Sequence, residues 1–192
     1  MMSRQRGRCW MQKRWIHGFS QSAKELKNTR VMVTCAMLLA VEVVINATVY
    51  LPIGDFLRIS FGYLAVAACG YLFGAVPAML IAALSDVLVF MFHSTGAFFP
   101  GLTLNAALVG LVYGLAFYQM EDITWPRILL AQGIIAVFLH ILLNTLWLSI
   151  LLGKGYLALL PLRVLKNAVQ YLIDVPALYL LLRFLKSQFK RT

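Results

Sequence analysis

The feature that most constrains this chain is a succession of long apolar runs. They fall at about 31–51, 59–73, 77–92, 102–118, 127–152 and 161–182, and Pro, Gly and charged residues punctuate them. The first stops at Pro52-Ile53-Gly54-Asp55, and Gly74 and Pro77 part the second from the third. Glu121, Asp122 and Pro126 precede the fifth; Gly153-Lys154-Gly155 and Pro161 precede the sixth. As helices rising ~1.5 Å per residue, most of these runs are long enough to cross a hydrocarbon layer of ~30 Å. The second and third are shorter, and are expected to tilt little or to end in re-entrant loops. Hydrophobic residues make up 61% of the 192 and charged ones 12%, against about half and about a quarter in soluble domains. No soluble core hides so much apolar surface, so lipid is the solvent for most of it. The expected fold is an all-α membrane protein, a bundle of six transmembrane helices. It occupies 29–188 as one domain behind a basic extension over 1–28.

The placement of charge orients the bundle. The net charge is +10, with Arg4, Arg6, Arg8, Lys13, Arg14, Lys24, Lys27 and Arg30 before the first run. Arg183, Lys186, Lys190 and Arg191 follow the last. Basic residues flanking apolar spans hold those ends in the cytoplasm, and an even number of spans puts both termini there. That placement argues against nucleic acid as the partner of the positive charge. The loops at 52–58, 93–101 and 153–161 then face outward, and the connections at 74–77 and 119–126 face inward. Four cations break the pattern. Arg58, Lys154, Arg163 and Lys166 stand on the outer side, where only Asp55 opposes them among nearby acids. Cys9, Cys35 and Cys69 have neither metal-site spacing nor an even count, and read as small apolar residues. The basic start leads into a full-length span with no short cleavable apolar segment, so no signal peptide is expected.

The sixth run carries the most informative pattern. Arg163, Lys166, Asn167, Gln170 and Asp174 recur at intervals of three and four, which puts them on one helical stripe. Cations in a span face the bundle interior or a wet cavity, unless they snorkel to the headgroups. Asn167 and Gln170 continue the stripe inward, where snorkelling gains nothing. The fifth run offers His140, Asn144 and Trp147 at the same spacing. Read alone, Asn144 is an interhelical hydrogen-bonding residue and Trp147 an interface anchor; facing the stripe, they wall a polar, aromatic pocket. Asp86, beside Ser85 in the third run, needs a partner: a ligand's cationic or amide group, or a cation such as Arg58 or Lys166. Glu42 and Asn46 share a face of the first run and read as structural, and His93 as a solvated loop residue. Ala36 and Ala40 form a small-x-x-x-small pair that permits close helix approach in lipid.

No catalytic constellation is present: no Gly-x-Ser-x-Gly elbow, no His-Glu-x-x-His and no paired-cysteine metal spacing. The G-x-x-x-x-G-K-[ST] phosphate loop is also missing, so uphill uptake would need energy from another polypeptide.

These residues together resemble the substrate-binding S components of energy-coupling-factor vitamin transporters, most of all the folate-specific group. The resemblance spans about 30–185 and rests on LRISFGYL at 57–64, FFPGLTLNAALVGLVYGL at 98–115, LLNTLWLSILLGKGY at 142–156 and LPLRVLKNAVQYLIDVP at 160–176. AMLLA at 36–40 matches the family's small-residue contact. The resemblance implies high-affinity folate binding near the outer face and a bacterial plasma-membrane location. It also implies partnership with a transmembrane coupling protein and two ATPases, which alone bind ATP. No enzymatic activity, cofactor or metal is implied. The coupling-protein contact falls on Ala36 and Ala40, and the extension at 1–28 lies outside the pattern.

Folate chemistry fits the residues. Its carboxylates suit Arg58, Lys154, Arg163 and Lys166, arginine being able to grip them with two bonds. Its flat ring suits Phe98, Phe99, Trp147 and Tyr156 as stacking surfaces. Asp86, Asn144, Asn167 and Gln170 can meet the ring's donors and acceptors, and the glycine-bearing loops 93–101 and 153–161 are expected lids. Three other readings remain open at this stage: an S component for another anionic vitamin such as pantothenate; a stand-alone proton-coupled carrier using Glu42 and Asp86; and an intramembrane hydrolase or acyltransferase using Asp86, His93 or His140.

Overall fold

The computed structural model describes residues 22, 28–48, 51–53, 57–59, 61–92, 99–118, 124–152 and 156–189. The side chains of 47–48, 51–53, 57–59, 148, 151–152, 156–159, 162 and 189 are excepted. The expected extension therefore lies outside the described residues, apart from Ser22 and Asn28.

Asn28 starts the first helix by accepting the Arg30 amide at 3.1 Å, which satisfies one of the unpaired donors of a helix start. Helix α1 runs Thr29–Thr48 and leads into a short antiparallel hairpin, β1 (Leu51–Ile53) with β2 (Leu57–Ile59), in which Pro52 stands opposite Arg58. Helix α2, Tyr63–Phe73, ends at Gly74, whose φ of +90° lets the chain turn directly into α3, Ala75–Phe92. Pro100 opens α4 (Pro100–Phe117) and Pro126 sits in the first turn of α5 (Trp125–Ile134), where a missing amide costs nothing. The rod begun by α5 continues through a π-helical stretch, Ile135–Leu143, into α6 (Asn144–Leu152). Helix α7 spans Tyr156–Phe189. It starts before Pro161, where the sequence suggested its beginning, because a proline in the second turn removes only one backbone bond.

The fold is the expected helical bundle with one small hairpin added. Five helical segments are long and apolar enough to cross a membrane: Thr29–Asn46, Ala75–Phe92, Pro100–Phe117, Trp125–Trp147 and Arg163–Gln188. The sixth, α2, has 11 residues and rises only ~16 Å, about half of a ~30 Å layer.

Residue size sorts inside from outside. The interior between α2, α3 and α4 is built from Ala67, Cys69, Ala78 and Ala82 with Gly70, Gly110 and Gly114, while Met91, Leu172 and Phe92 stand 75%, 73% and 69% exposed. Lipid tails are as apolar as leucine, so large side chains gain little by turning inward, and small ones let backbones close up. A Cβ on Gly110 would meet the Ala78 carbonyl and one on Gly114 the Ala75 backbone, which is how α3 and α4 come to share the most extensive contact in the bundle.

Cross-helix contacts set the levels. Glu42 meets Ser85, Asp86 meets Thr103 and Phe99 meets Trp147 toward the end that carries β1 and β2, here the hairpin end. Trp125 stacks on Tyr179 at 4.3 Å, and Ser22 bonds Phe73 and Val76, toward the opposite, Gly74 end. With its last turn tied to Ser22, α2 falls short at the hairpin end. Among the described residues no helix fills its lane above Tyr63.

Candidate ligand-binding site

The hairpin-end half of the bundle holds buried polar atoms that no side chain or backbone group satisfies. Asn105 Oδ1, Thr145 Oγ1 and Trp147 Nε1 are buried and lack a hydrogen-bond partner, whereas the buried Tyr63 hydroxyl lies beside the Asp174 carboxylate. Asn105 lies in the second turn of α4, and Thr145 and Trp147 open α6, in the hairpin-end half of the rod Trp125–Leu152. A buried polar group without a partner costs about 1–3 kcal/mol, and native interiors hold few of them. Three toward one end of one bundle mark a place where something else supplies the bonds.

An aromatic wall closes one flank. The Phe99 and Trp147 rings sit 5.5 Å apart, tilted by 49°. Gly101 makes room for both, since a Cβ there would come within 2.6 Å of Phe99 Cε1 and 2.7 Å of Trp147 Cδ2. The Asp86 carboxylate accepts the Thr103 hydroxyl at 2.8 Å, joining α3 to α4 at the same level. Glu42 accepts the Ser85 hydroxyl at 2.6 Å, and its second carboxyl oxygen is buried without a partner. Ser85 and Asp86, adjacent in sequence, thus face different neighbours.

The stripe on α7 is half-buried through Arg163, Lys166, Asn167 and Gln170. The π-helical stretch packs against α7, where His140 comes near both Arg163 and Lys166. The lower end of the stripe is structural. Asp174 accepts Gln170 Nε2 at 2.7 Å and Gln132 Nε2 at 2.6 Å, and Gln132 in turn accepts the Tyr113 hydroxyl at 2.9 Å. This network binds α4, α5 and α7 beneath the site as a polar floor.

Of the residues singled out from the sequence, Asp86 on α3, Phe99 just before α4, Asn144 and Trp147 on α6, and Arg163, Lys166, Asn167 and Gln170 on α7 lie toward the hairpin end of the bundle. Phe98, Lys154 and the side chains of Arg58 and Tyr156 lie outside the described residues, as do 93–98 and 153–155 of the two expected lids. Ala36 and Ala40 are elsewhere, exposed on α1. Tyr63, Thr103, Asn105, Gln132 and Thr145 were not anticipated. Their one signal in the sequence is a lone polar residue within an apolar run, as in ILLAQGIIAVF at 128–138. Among the described residues no cluster of His, Cys, Asp and Glu could hold a metal.

The chain matches the family model of the ECF transporter, substrate-specific component, over residues 30–189. It is 37% identical over 156 residues to a folate transporter FolT of Clostridium novyi, covering 80% of this chain and 88% of that one. A folate transporter FolT of Leuconostoc mesenteroides is 32% identical over 161 residues, covering 81% and 85%. A crystal structure of FolT bound with folic acid superposes with a TM-score of 0.71 at 32% identity, over 79% of this chain and 92% of that one.

Proposed function

The chain belongs to the substrate-specific components of ECF transporters, and on that premise we propose that it captures folate at the outer face of the bacterial plasma membrane. The observation that carries this reading is the set of unpartnered buried atoms, Asn105 Oδ1, Thr145 Oγ1 and Trp147 Nε1, beside the Phe99–Trp147 wall. A flat heteroaromatic ring with alternating donors and acceptors meets both demands at once. Asp86, Asn144, Asn167 and Gln170 add polar edges, and Asp86 keeps one carboxyl oxygen beyond its bond to Thr103. Arg163 and Lys166, with Arg58 and Lys154 from the hairpin and the loop before α7, take the ligand's carboxylates. Phe98 extends the aromatic surface.

The basic ends face the cytoplasm, which puts the site outside. Release inward draws on two separate ATPases through a coupling protein that packs on α1 at Ala36 and Ala40. The chain itself contributes binding and no covalent chemistry. Folic acid added to the purified chain is expected to quench tryptophan fluorescence saturably. Arg163→Ala and Lys166→Ala each remove a charge-assisted contact worth ~1.5–3 kcal/mol, so affinity is expected to fall roughly ten- to a hundredfold. Quenching by pantothenate with none by folic acid overturns the vitamin assignment. Solute accumulation by the chain alone in liposomes under a proton gradient overturns the dependence on partners.

A further inference from the structure

The rod from Trp125 to Leu152 has an unusual middle: Ile135–Leu143 is π-helical over nine residues. That geometry is rare, occurs mostly as a single turn and concentrates at functional sites. Nothing local forces it, since the rod has no proline beyond Pro126 and its apolar sequence would wind as an α-helix equally well.

The two ends of the rod are held very differently. Toward the Gly74 end, Gln132 is 2% exposed and bonded to both Tyr113 and Asp174. Toward the hairpin end, Thr145 and Trp147 have buried polar atoms with no partner. Gly133 stands between the anchored part and the π stretch. A Cβ built on it meets nothing within 4 Å, whereas one on Gly70, Gly110 or Gly114 would press on neighbouring backbone. Packing therefore does not call for glycine at 133, where it weakens a helix relative to alanine. What it leaves is freedom to bend and rewind.

We propose that Ile135–Leu143, hinged at Gly133, is a register switch that turns Asn144, Thr145 and Trp147 toward the ligand in its π form and away from it on winding to α. One residue of register swings a side chain by about 100° around a helix, enough to lift Trp147 off Phe99. A ligand that satisfies Thr145 and Trp147 favours the π form, and its loss favours the α form, so occupancy and winding bias each other. Gln132, fixed by Tyr113 and Asp174, keeps the lower half still while the upper half turns. The identity of the ligand rests on the reading given above; the switch does not.

Two measurements test it. Hydrogen exchange of the full purified chain without ligand is expected to show amides 135–144 exchanging at least tenfold faster than those of 128–132 and 146–150. Uniform exchange along the rod overturns the switch. In proteoliposomes holding the complete transporter, deletion of Val137 removes one residue from the π stretch and lets it wind as α with both flanks in place, while Gly133→Ala stiffens the hinge. Both variants are expected to bind folic acid within about threefold of the natural chain and to lose tenfold or more in uptake. Uptake at the natural rate by either binding-competent variant overturns the proposal. Gly133→Ala has open space for its methyl group and stands if the deletion does not fold. A natural chain that ignores folic acid sinks the vitamin assignment, and the exchange pattern of that same chain still decides the switch.

Discussion

Asp174 shows what one side chain does in a dry interior. It is 4% exposed and takes one amide donor on each oxygen, from Gln170 and Gln132. Gln132 serves two masters, accepting from Tyr113 while donating to Asp174. Interhelical hydrogen bonds in membranes average only ~0.6 kcal/mol, because the unfolded chain in lipid also finds partners. Orphaning buried groups is costlier, at ~1–3 kcal/mol each and more for a charge. Gln132→Leu strands two groups at once and is expected to cost about 2–5 kcal/mol. Tyr171→Phe loses a single exposed bond to the Leu129 carbonyl, and should cost no more than about 1 kcal/mol. Thermal unfolding in detergent, comparing the two variants, checks the ordering. Gln170 and Asp174 were legible in the sequence because four-residue spacing puts them on one stripe. Gln132 was not: no polar residue stands three or four positions from it, and its partners come from two other helices, α4 and α7.

Prolines and glycines told most of the element boundaries, since Pro52, Gly74, Pro100 and Pro126 all stand at or next to breaks between helices. Pro161 misled, because a proline near a helix start looks the same in sequence as one at the start itself. The hairpin was invisible, as strands of three residues are too short to alternate. The π stretch was equally hidden, because an unbroken apolar run fits either winding. What the glycines do between elements came from packing alone. Gly110→Val would push a branched side chain into the Ala78–Met79 backbone and wedge α3 from α4. It is expected to yield aggregated protein by size-exclusion chromatography in detergent. Gly101→Ala, by contrast, meets two aromatic rings that can shift. It is expected to keep the fold while weakening folic acid binding tenfold or more by fluorescence titration.

At the scale of the whole molecule, α1 carries an exposed stripe with small side chains at its centre. On α1 the exposed residues Met32, Val33, Ala36, Met37, Ala40, Val41 and Val44 follow a four-residue repeat, with larger side chains around the two alanines. A shallow trough of this kind admits another helix closely. Ala36→Trp and Ala40→Trp would fill it. Both are expected to abolish copurification of the coupling protein and leave folic acid affinity within about twofold. The alanine pair was readable from the sequence, and so was the shortness of α2, whose run was expected to be brief. Ser22 has a consequence of its own. Its hydroxyl gives its proton to the Phe73 carbonyl at 2.7 Å and takes the Val76 amide at 3.2 Å, across the turn at Gly74. Ser22 is thus a peg across the turn between α2 and α3. Trimming the chain back to Thr29 would leave a raw polar seam at the bottom of the bundle, open to the water beneath it.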